Sequence, residues 1–176
     1  MLMNLVPNVL GMSYVLMAPA YVSDVLDRDA TTLGYLLAVN GIGSFIGTFT
    51  VARFHQIHQR GRLILRTLAV FGTLLVVFGL TSNLPLAFVS IFLLGLTYGF
   101  VAALNDTLIQ LLVDEAYRGR VMSVFAMIVG LAPGSALLVG WIATMTGIGW
   151  SIAIIGLIML AYIPFLRFRT RLASID

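Results

Sequence analysis

Long apolar runs separated by short polar breaks set the pattern of this chain. The first run covers residues 2–22 and contains Pro7 and Pro19. A polar stretch, 23–32, follows with Asp24, Asp27, Arg28 and Asp29. Further apolar runs cover 33–52, 63–80, 84–112, 121–145 and 150–168. The breaks between them are 53–62 (RFHQIHQRGR), 81–83 (TSN), 113–120 (VDEAYRGR) and 146–149. About 20 apolar residues suffice for a helix to cross the hydrocarbon core of a bilayer. Buried strands are shorter, about four to eight residues. A helix on the surface of a soluble bundle would show a polar face every turn, and these runs do not. The pattern predicts an all-α membrane protein: one six-helix transmembrane domain, residues 1–168, and a short cytoplasmic tail, 169–176. The first run has no basic segment ahead of it and five similar runs behind it, so it reads as a span rather than a cleaved signal.

Composition sharpens this reading. Of the 176 residues, 60% are hydrophobic and 10% charged. Soluble domains carry roughly 25% charged residues. The lipid bilayer is therefore the expected surroundings, in the cell membrane (the inner membrane of a bacterium), crossed several times. The net charge of +3 comes from short Arg clusters between apolar runs, a pattern that does not suit nucleic acid. Cys is absent, which excludes disulfides and thiolate metal sites. Alternate polar segments differ in charge. Arg53, Arg60, Arg62, Arg66, Arg118, Arg120, Arg167, Arg169 and Arg171 fall on one side of six alternating spans. Only Arg28 falls on the other, beside three Asp residues. Basic residues favour the cytoplasm, so both termini are expected there. Trp141 and Trp150 flank the last outer turn, where interfacial anchors belong.

Polar groups at membrane depth are costly and each needs a reason. Asp106 is the only carboxylate inside an apolar run, with Asn105 before it and Gln110 one turn on. It is a candidate for carrying a coupled proton or contacting a cationic solute. The alternative is a structural lock against Arg118 or Arg120. Asn40 lies midway along the second run, just ahead of the Gly43/Gly47 pair. Gly95 and Gly99 repeat that spacing beside Tyr98. Small residues one turn apart let two helix backbones approach; packing and a rocking contact are both open. Tyr98 is a candidate solute contact or a packing residue. Gly130, Pro133, Gly134 and Gly140 predict a weakened or bent helix, a feature common around transporter cavities. His55 and His58 lack neighbouring acids in sequence and are not expected to form a metal site. No hydrolytic constellation is present, no enzyme activity is expected, and no cofactor is implied.

Several stretches resemble a known family. These are 19–26 (PAYVSDVL), 33–43 (LGYLLAVNGIG) and, most strongly, 114–123 (DEAYRGRVMS). Asn105, Thr107 and Gln110 fit ahead of the last, and Gly130, Pro133 and Gly134 after it. The chain resembles the carboxy-terminal half, helices seven to twelve, of a major facilitator superfamily transporter. Within it, the chain is similar to the bacterial enterobactin/drug exporter branch. The resemblance implies a proton-gradient-driven exporter of a small amphipathic, drug-like or siderophore-like solute, working by alternating access. It also implies cytoplasmic gating loops containing Arg60, Arg62, Asp114, Glu115, Arg118 and Arg120. The 53–62 loop keeps Arg60-Gly61-Arg62 but lacks the family's Asp. With six spans instead of twelve, the chain is expected to be a fragment, one subunit of a split transporter, or a self-associating half. A non-transporting remnant or scaffold subunit is the alternative.

Overall fold

The computed structural model describes residues 11–53, 60–112, 115–130 and 132–169, and all of its regular structure is helical. In chain order the helices are α1 (Ser13–Asp24), α2 (Ala30–Arg53), α3 (Arg60–Leu80), α4 (Leu84–Leu112), α5 (Glu115–Gly130), α6 (Ala132–Thr146) and α7 (Ile148–Arg169). Two of them, α2 and the Leu84–Leu104 part of α4, are by themselves long and apolar enough to cross a membrane.

Local chemistry explains the corners. Asp29 starts α2: its carboxylate accepts the Thr32 N–H at 3.1 Å and the Thr32 hydroxyl at 2.9 Å. This is an N-cap, which satisfies a backbone donor that the first turn leaves open. Asn83 starts α4, with its carbonyl accepting from Ala87 N–H at 2.9 Å, and Pro85 sits in the first turn where no N–H is needed. Gly147 joins α6 to α7 in a single residue with φ +85, a conformation that favours glycine.

The helix directions follow from residue pairs in contact. Tyr14 meets Phe71 and Tyr21 meets Phe78, so α1 and α3 run the same way. A Cβ on Gly95 would strike the backbone of Asn40, and one on Gly99 that of Ser44, so α2 and α4 are also parallel. Gly79 packs on Gly149 and Gly72 on Gly156, so α3 and α7 are antiparallel. Hence α7 runs with α2 and α4, and α5 with α6 makes one net passage between the two ends of the bundle. The core gathers where these helices meet, with Tyr14, Tyr21, Leu36, Leu75, Phe78 and Ile91 almost fully buried. Outward faces are strongly apolar: Phe45 is 71% exposed and Leu137 78%. In water such faces would be unstable; in lipid they are solvated.

The structure corrects the boundaries of two predicted loops. Residues 113–120 were expected to form a charged loop, yet Glu115–Arg120 are the first turns of α5. Glu, Ala and Arg are good helix formers, and Glu in the first turn suits the helix dipole. Arg60 and Arg62 likewise belong to the first turn of α3 rather than to a loop. Charge marks exposure to water, and exposed residues can be helical. The expected bend around Gly130–Gly134 falls where α5 ends at Gly130 and α6 begins at Ala132. His55, His58 and Asp114 lie outside the described residues.

Candidate functional site

The polar candidates are carried by α2 and α4, whose backbones approach closely at several glycines. Their seam is made of glycines. A Cβ at Gly43 would meet the carbonyl of Phe92, and one at Gly47 the carbonyl of Leu96. The reciprocal positions, Gly95 and Gly99, face Asn40 and Ser44 backbone. Thr48 braces the seam by donating its hydroxyl to the Gly99 carbonyl at 3.3 Å. Without a hydrophobic drive between helices in lipid, such backbone approach and hydrogen bonding hold spans together.

Asn40 sits at one end of this seam. Its amide donates to the Tyr14 hydroxyl at 2.8 Å and to the Ile91 carbonyl at 3.1 Å, linking α2 to both α1 and α4. Tyr14 itself is 1% exposed. Tyr98, one turn beyond Gly95, is half-buried against the same core and 6.4 Å from the Phe71 ring, centre to centre. Asp106 is exposed, two turns beyond Tyr98 on α4, roughly 12 Å along the helix axis. Asn40 packs at the level of Gly95, so it stands roughly 16 Å from the Asp106 level. Asn40 and Tyr98 thus pack against the same core, and Asp106 lies further along α4, toward the Arg-rich end, where its charge still reaches Tyr98.

The other candidates are more scattered. Asn105 and Gln110 lie on α4 flanking Asp106, and Glu115 and Arg118 on the first turns of α5. Arg120 is exposed on α5, and Gly134 is exposed in the first turn of α6 beside Pro133. Among the described residues no three metal-ligating side chains come together. Two polar anchors escape a reading of the sequence: Tyr14, and Tyr21, whose hydroxyl lies 2.7 Å from the Phe78 carbonyl and 2.6 Å from that of Thr81. Tyr21 thereby serves carbonyls left open at the end of α3. Their only sequence signal is a phenol within an apolar run, Tyr14 near its middle and Tyr21 near its end.

Parallel and antiparallel apolar helices held by glycine seams, with lipid-compatible outer faces, define a multi-pass α-helical protein of the cell membrane. Residues 2–174 match the Major Facilitator Superfamily, and the chain belongs to that family, whose members are membrane transporters and not enzymes. It is 30% identical over 170 residues to the enterobactin exporter EntS of Shigella flexneri, covering 89% of this chain and 40% of that protein. It is 26% identical over 159 residues to the multidrug efflux pump Tap of Mycolicibacterium fortuitum, covering 90% of this chain and 38% of Tap. Similarity extends to the uncharacterized MFS-type transporter YfmI of Bacillus subtilis, at 25% identity over 151 residues. The chain spans about two fifths of the length of these relatives.

Proposed function

We propose that this chain is a six-helix half of a proton-coupled exporter that moves a small amphipathic, drug-like or siderophore-like solute by alternating access. The observation that carries the proposal is the family match over nearly the whole chain, together with similarity to an enterobactin exporter and a multidrug pump. In this reading the Arg-rich end of the bundle and both termini face the cytoplasm. The six spans correspond to α1, α2, α3, α4, α5 with α6, and α7. The glycine seam makes α2 and α4 one rigid pair, and the break between α5 and α6 supplies bending. Asp106 is the coupling carboxylate, with Asn105, Gln110 and Tyr98 as solute contacts. Arg60, Arg62, Asp114, Glu115, Arg118 and Arg120 hold the cytoplasmic gate. Asn40 serves the helix contact, since its amide donates to two protein acceptors. A second six-helix unit, either a separate amino-terminal half or another copy of this chain, completes the pathway.

Transport in inverted membrane vesicles tests this. A proton gradient is imposed and uptake of a fluorescent cationic drug followed, for the chain alone and for the chain co-expressed with the amino-terminal half of a relative. Gradient-driven uptake in either sample, reduced at least tenfold by Asp106→Asn with insertion unchanged, is the expected result. No uptake of cationic drugs or siderophores in either sample overturns the exporter reading and favours a non-transporting scaffold.

A further inference from the structure

At the end of the bundle opposite the Arg clusters, an open cavity of about 620 Å³ lies between the last turns of α1, α3 and α6 and the first turn of α7. Pockets of roughly 300–1,000 Å³ accommodate drug-sized ligands. Small residues make up much of its lining: Gly79 and Gly149, whose backbones meet, with Gly140, Ala143 and Gly147. Val25, Leu80 and Ile148 supply an apolar lining. Asp24 is the only ionisable side chain among the lining residues, and Trp150, 60% exposed, lies on the same wall set. The nearby α1–α2 turn adds Asp27, Arg28 and Asp29, which keeps that end net negative. The site is distant from Asp106, which lies toward the other end of α4.

We propose that this cavity binds an alkylammonium group: a cationic head held between the Asp24 carboxylate and the Trp150 ring, with its hydrocarbon part over Val25, Leu80 and Ile148. A carboxylate attracts the charge directly, and an indole face attracts a cation through its quadrupole. A carboxylate disfavours an anionic head. The same chemistry is offered by the head of an ethanolamine or choline lipid and by a free amphipathic cation. Binding at this cavity requires no transport.

The test uses the full chain in nanodiscs of phosphatidylglycerol, which carry no ammonium. The protein has two Trp, so Trp141→Phe leaves Trp150 as the chain's only indole, and a Trp-free belt protein keeps the disc silent. Octyltrimethylammonium is titrated and Trp150 fluorescence followed. Saturable binding is expected, with the midpoint raised about tenfold by Asp24→Asn and restored by Asp24→Glu. Circular dichroism of each variant establishes that the exposed substitution leaves the helices intact. Identical midpoints with and without the carboxylate overturn the site, as does equal binding of octyl sulfate. Adding phosphatidylethanolamine to the discs distinguishes the sources. A midpoint displaced upward only in the Asp24 protein identifies the lipid head as occupant, and an undisplaced midpoint identifies free cations.

Discussion

One amide at Asn40 joins three helices through its bonds to Tyr14 and Ile91. Replacing it with Leu leaves the nearly buried Tyr14 hydroxyl without that donor. Interhelical hydrogen bonds in membranes contribute about 0.6 kcal/mol on average and at most about 1.7. Asn40→Leu is therefore expected to destabilise the chain by about 1 kcal/mol, seen as a lower melting temperature in detergent. A loss of transport with unchanged melting would instead make Asn40 a solute contact. Asp29 acts by charge. Hydrogen bonds from the Thr32 backbone and side chain hold its carboxyl below the ordinary 3.8. A depressed folded-state value stabilises α2 above the unfolded value, about pH 4, and that contribution disappears as pH falls through the folded value. Asp29→Ala should lower the melting temperature at neutral pH and flatten its decline below about pH 4.

At the scale of elements, two glycines of the same helix make opposite predictions. Gly47 has the Leu96 carbonyl where a Cβ would go, whereas Gly41 has nothing within 4 Å. Gly47→Ala should cost about 1–3 kcal/mol through overpacking. Gly41→Ala should gain roughly 0.5–1 kcal/mol, because alanine loses less backbone freedom in a helix. Thermal melts of the two variants side by side check this. The contrast also shows what a sequence can reveal here. Helical spans are legible because about 20 consecutive apolar residues have few other uses, and the spacing of Gly43/Gly47 and Gly95/Gly99 is visible by inspection. That these pairs face each other depends on α2 and α4 being neighbours, which no local pattern states. The same holds for Tyr14 with Asn40, 26 residues apart. The first turns of α5 are hidden for another reason: a charged stretch between apolar runs resembles a loop, and Glu115–Arg120 are helical.

Across the whole molecule, the two ends differ in charge. The end of α1 and the turn after it carry Asp24, Asp27 and Asp29 against one Arg28, whereas the starts of α3 and α5 carry Arg60, Arg62, Arg118 and Arg120. With no native Cys, single cysteines report sidedness cleanly. In intact cells an impermeant maleimide should label Arg28→Cys and leave Arg120→Cys unlabelled until the membrane is opened. The reverse pattern would invert the proposed orientation and move the Asp24 cavity to the cytoplasmic side.

The glycine seam also limits how this chain can vary over generations. Every other amino acid carries at least the atom that Gly43, Gly47, Gly95 and Gly99 have no room for. No single replacement there is conservative, and relief requires a coordinated change in the facing backbone. A library of random variants selected for stable insertion should therefore be emptied at these four codons, while Gly34 and Gly41, on open faces of the same helix, drift freely.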